Sequence, residues 1–185
     1  MMAKIARLLA GVVVTFSLLW QCSFASFKFY DGLANSRVST ATYLQSAVTK
    51  IMVTVEVVNT GSESAEKYVL ALPKALDSNL ALVEVFDEDK NRLQFERESN
   101  IDGMDAKSKS ESVFYLIDLP SALQADGGSS SQQLKATIAY IHQLTPLPAQ
   151  IKKTSKQFVV YEAFKYFYSP YKTEKLNAKY IFPSD

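Results

Sequence analysis

Thr49-Lys50-Ile51-Met52-Val53-Thr54-Val55-Glu56-Val57 is the stretch that decides the fold. Ile51, Val53, Val55 and Val57 fall on one face, while Lys50, Thr54 and Glu56 fall on the other. Strict alternation is the signature of a strand with one buried and one wet face, and β-branched side chains suit that pleated surface. Asn59-Thr60-Gly61-Ser62 follows with turn chemistry, so the strand ends there.

Outward from this strand the same grammar repeats. Lys67 to Leu72 is an apolar run that stops at Pro73, and Leu80 to Phe86 reads as another strand. Leu93-Gln94-Phe95-Glu96 is expected to pair back onto it across the polar turn Asp87 to Arg92. Ser99 to Ser112 is polar and charged and reads as a loop. Val113 to Ile117 is a strongly apolar strand, expected to end at Leu119-Pro120. Gln124 to Gln133, with Gly127-Gly128-Ser129-Ser130-Ser131, is a surface connection. Leu134 to His142 alternates again, with Leu134, Ala136, Ile138 and Tyr140 on one face. Short strands at this spacing predict an all-β fold, an antiparallel β-sandwich.

The amino terminus answers where the chain goes. Lys4 and Arg7 precede an apolar run, Leu8 to Trp20, and Ser23-Phe24-Ala25 offers small residues at a cleavage site. A signal-peptide helix over residues 1–25, cut between Ala25 and Ser26, is expected. The run is short for a signal anchor, and Trp20 and Gln21 are bulky for lipidation at Cys22. Cleavage removes the only cysteine, so the mature chain is stabilised by its core rather than by disulfides. It also removes two of 20 basic residues, which leaves 18 against 19 acids and a net charge of −1. There is no basic field to attract nucleic acid. A luminal β-sandwich domain is expected over residues 26–174, and residues 175–185 are read as the start of a truncated following segment.

Reaction chemistry finds little support. His142 is the only histidine and lacks a second His or Cys with which to bind zinc. No Gly-x-Ser-x-Gly elbow and no phosphate-cradling glycine loop occurs. Asp87, Asp89, Asn91 and Glu98 imitate a calcium loop, but Arg92 stands where the sharp turn needs glycine. A hairpin turn is the better reading. No Asn opens a glycosylation sequon. No catalytic, cofactor-binding or metal-binding residue is assigned.

The most unusual segment is Lys156 to Tyr171, K-Q-F-V-V-Y-E-A-F-K-Y-F-Y-S-P-Y, in which seven of the fourteen residues from Phe158 onward are aromatic. Composition favours a buried strand, Phe158 to Tyr161, with the turn that follows it. Tyrosines with wet hydroxyls also make a ledge for a sugar or peptide. K-Q-F-V-V-Y-E with Y-F-Y-S-P-Y resembles the ribophorin I family, the luminal subunit 1 of the oligosaccharyltransferase. Tyr140-Ile141-His142, Pro146, Pro148 and Gln150-Ile151 look like the same family's lead-in. The resemblance is strong over residues 138–171, weaker from Asn35 to Leu119, and covers only the amino-terminal part of the family's length.

That resemblance implies a non-catalytic subunit at the endoplasmic reticulum, in a complex that transfers an oligosaccharide from dolichyl diphosphate to asparagine. It implies partners among the other subunits, including the catalytic one, and contact with nascent polypeptides. It also implies a membrane anchor far downstream. Phe158, Tyr161, Tyr166, Tyr168 and Tyr171 become candidates for an architectural or contact surface. Two alternatives stay open. One is a free secreted carbohydrate- or peptide-binding β-module, and the other is the non-catalytic β domain of a larger hydrolase.

Overall fold

A computed structural model of the chain describes residues 27–99, 101–150, 158–164 and 166–183; the expected signal helix lies outside them. The strands run in the order β1 (Phe27–Lys28), β2 (Leu33–Tyr43), β3 (Thr49–Asn59), β4 (Ala65–Pro73), β5 (Leu80–Phe86) and β6 (Phe95–Glu98). Then come β7 (Ile101–Asp102), helix α1 (Ala106–Glu111), β8 (Ser112–Leu123), β9 (Ser131–Tyr140) and β10 (Leu144–Leu147). β11 (Phe158–Tyr161), β12 (Lys172–Thr173) and β13 (Leu176–Ile181) complete the described elements.

Two sheets form the sandwich. The larger has the order β12-β2-β3-β9-β5, with β13 also on β2, and the smaller is β4-β8-β6. The alternation of β3 holds: Val53, Val55 and Val57 are buried while Lys50 and Met52 are exposed. Leu134, Ala136 and Ile138 of β9 are buried in the same core as Tyr68, Leu70, Leu72, Phe114, Leu116 and Ile117 of β4 and β8. Each fully buried side chain of this kind contributes about 1.5–3 kcal/mol. Val113 to Ile117 are buried without alternation, because the small sheet is covered on both faces. The Lys74–Asn79 turn and α1 are both in contact with β8.

The all-β class and the antiparallel pairing of the main ladders agree with the sequence; four details differ. Leu93 does begin to pair back, donating its N–H to the Val85 carbonyl at 2.8 Å. The chain then leaves the large sheet, and β6 pairs with β8 instead. Pro120 does not end β8, which continues to Leu123. Pro120 falls where the β4–β8 register is interrupted between Ala65 and Lys67, so no ladder bond needs its missing N–H. Ser99 to Ser112 is not all loop, since the Asp105 side chain accepts from the Ser108 N–H and starts α1. Finally, β12 and β13 run parallel to β2, a direction that alternation cannot reveal.

Candidate functional site

Sequence places the aromatic segment next to Ser169-Pro170, and the structure shows what that end is tied to. Asn35 is wholly buried at the irregularity of β2, where the register to β3 shifts. Its Nδ2 donates to Ser169 Oγ at 2.9 Å and to Thr173 Oγ1 at 3.1 Å. Its Oδ1 accepts from the Tyr68 hydroxyl at 3.1 Å. Tyr171 is buried, stacks on Phe29 with centroids 5.3 Å apart, and lies 5.1 Å from the Tyr68 ring. Its hydroxyl accepts from the Val69 N–H at 3.1 Å. Burial pushes the Tyr68 and Tyr171 phenols well above the ordinary tyrosine range.

From this anchor the aromatic segment spreads into three environments. Tyr171 belongs to the core, and Phe167 and Tyr168 pack half-buried against it, Tyr168 edge-on to Phe164 at 5.3 Å. Tyr161 is half-buried, 6.4 Å from Tyr180 of β13, and burial raises its phenol. Phe158 and Tyr166 are 65% and 68% exposed. The five candidates therefore do not share one surface. The expected burial of Phe158 to Tyr161 is not found: among the described residues β11 pairs only with β10, making a two-stranded ribbon apart from both sheets. Aromatic composition reported strand propensity correctly, but not which strands a sheet would cover.

Two apolar clefts border the segment. One, of about 100 Å³, lies between the strap of residues 161–164 and 166–168 and the inner face of the large sheet at Thr42, Ile51, Ile138 and Leu176. The other, of about 950 Å³, opens between the ribbon and the end of β13. Leu144, Pro146, Val159 and Tyr161 of the ribbon side line it together with Tyr180 and Phe182. Tyr180, Phe182 and Asn35 were not singled out from sequence. The spacing of Leu176, Ala178 and Tyr180 carries a strand signal, whereas nothing local marks a buried Asn. His142 sits exposed in a turn with φ 56° and lines neither cleft.

The fold and the site define a two-sheet β domain that carries two apolar clefts bordered by aromatic side chains. The family model of Ribophorin I matches residues 33–185, and the chain belongs to the ribophorin I family. It is similar to dolichyl-diphosphooligosaccharide–protein glycosyltransferase subunit 1A of Arabidopsis thaliana, 25% identical over 178 residues. That alignment takes in 95% of this chain, which spans 28% of the relative's length. Among solved structures, native yeast LTA4 hydrolase is similar at 13% identity and a TM-score of 0.40, over 78% of this chain and 21% of that one.

Proposed function

We propose that the chain is an amino-terminal luminal part of a non-catalytic oligosaccharyltransferase subunit. It acts at the endoplasmic reticulum, where the complex N-glycosylates nascent proteins, and it stabilises that complex or presents substrate to it. The observation that carries this reading is the family match over residues 33–185. The chemistry agrees: the buried tyrosines are spent on packing, and the exposed Phe158 and Tyr166 are suited to contact rather than to proton transfer. A catalytic role belongs, on this reading, to a different subunit.

The exposure of those same two rings also suits a second reading, a free module that stacks a sugar or peptide. Native co-purification separates the two. The chain is expressed with a carboxyl-terminal tag in eukaryotic cells, and membranes are solubilised in mild detergent. Recovery of the catalytic oligosaccharyltransferase subunit supports the first reading. A chain recovered alone from the lumen favours the second.

A further inference from the structure

β1 is short, yet every residue from Phe27 to Tyr30 is tied into the sandwich. Phe27 and Lys28 pair in parallel with Ile101 and Asp102 of β7, and Ile101 is wholly buried. Phe29 donates its N–H to the Asp102 carbonyl at 2.8 Å and stacks on Tyr171. The Tyr30 hydroxyl donates to Asn59 Oδ1 at 3.1 Å and accepts from the Glu63 N–H at 3.1 Å. Phe27, Phe29 and Tyr30 all pack against the core.

The expected signal-peptide cut, between Ala25 and Ser26, immediately precedes this run. Phe27 is the second residue after the cut and Phe29 the fourth. A protease works on a locally opened, extended chain, so a segment already paired and packed must first come free. The topology delays that pairing. β7 is synthesised about 70 residues after β1, and Tyr171 about 140 residues after Phe29, a wait of seconds to tens of seconds on a ribosome. Until then Phe27, Lys28 and Phe29 lack the partners that hold them.

We propose that the sandwich sets the order of its own maturation: the signal peptide is removed while Phe27 to Phe29 are unpaired, and the seating of β1 on β7 and Tyr171 then closes the cut site. One water is consumed in the cut. It breaks the Ala25–Ser26 peptide bond and leaves a carboxylate on Ala25 and an ammonium on Ser26. A chain that seats β1 first keeps its signal peptide. This order rests on the reading of the chain as a luminal protein with a cleaved signal peptide.

Two measurements test it. In the first, residues 1–25 are replaced by a tag whose last residues are the recognition sequence of a protease that cuts ahead of serine. A second form moves that cut upstream by a short glycine–serine spacer. The folded first form should be cut more slowly than the spacer form, by roughly tenfold or more. Phe29→Ala, which removes the stack on Tyr171, should bring its rate toward that of the spacer form. If that variant fails to fold, the two native forms still decide, and equal rates for them would overturn the shielding. The second measurement is translation into endoplasmic-reticulum membranes. Chains stopped before Tyr171 is made should be cut as completely as the full chain, whereas cutting that begins only beyond Tyr171 would overturn the order. The mass of the chain made in eukaryotic cells checks the signal-peptide reading separately. An amino terminus at Ser26 is expected, and a chain that retains residues 1–25 would overturn that reading whatever the protease rates.

Discussion

The Tyr68 hydroxyl donates to Asn35 Oδ1 at 3.1 Å between two residues that are both buried, and this bond joins the two sheets at the point where the aromatic segment returns to the sandwich. Asn35 spends its amide group on Ser169 and Thr173 at the same time. Asn35→Ala leaves those partners and Tyr68 unsatisfied, and is expected to cost about 2–4 kcal/mol. Tyr68→Phe, which takes a hydroxyl from Asn35 and Ser169 but leaves the Asn35 amide bonds in place, should cost about 1–2 kcal/mol. Denaturant melts of both variants check the order. Equal, negligible losses would mean that the network is replaced by water.

The aromatic segment should divide by position and not by residue type. Tyr171→Ala empties a core site between Phe29 and Tyr68 and should cost about 3–5 kcal/mol. Phe158→Ala, on the exposed ribbon, should stay within about 0.5 kcal/mol of the native chain. Thermal melts in parallel would show a ribbon that is structural after all if Phe158→Ala unfolds as readily.

Tyr30 is a second anchor, and it dictates two glycines. Its hydroxyl donates to Asn59 Oδ1 and accepts from the Glu63 N–H. A methyl group at Gly32 would overlap the Tyr30 ring, and one at Gly61 would overlap its hydroxyl. Gly32→Ala, whose new methyl group would meet the Tyr30 side chain first, is expected to cost about 1–3 kcal/mol by displacing that ring. In a Tyr30→Ala background the same change should cost much less, and a double-mutant cycle measures the coupling. Additive losses would show that backbone conformation, not the ring, demands glycine.

Alkaline pH should unfold the chain in a defined direction. Burial raises the Tyr68 and Tyr171 phenols above the ordinary value of 10.0, so the folded chain binds their protons more tightly than the unfolded one. Their contribution is fully present below pH 10.0 and is lost as pH rises beyond it. Tyr68→Phe combined with Tyr171→Phe should flatten the alkaline limb of a plot of Tm against pH. An unchanged limb would assign alkaline unfolding to other groups.

Much of the sandwich was legible in the sequence. β3 and β9 each have one dry and one wet face, so alternation marked both strands and their core sides. β8 was marked by apolar composition, although its passage through Pro120 depends on a register irregularity in its partner. What escaped was partnership. Nothing in Leu93 to Glu96 tells that the chain changes sheets after one bond to Val85, or that β13 lies parallel on β2. The aromatic segment was recognised as special, yet seven rings of similar chemistry end in core, strap and ribbon. Burial is set by neighbours distant in sequence: Asn35 and Phe29 decide the fate of the segment's end.

The proposed role of this sandwich as a contact module of the oligosaccharyltransferase stands or falls on its partners. The most direct measurement is native co-purification of the tagged chain beside a variant with Phe158→Ser and Tyr166→Ser, after confirming that both share one Tm. The native chain should recover the catalytic subunit, and the variant should recover it poorly. A native chain that comes out of the membrane fraction alone, or out of the lumen without partners, would contradict that role.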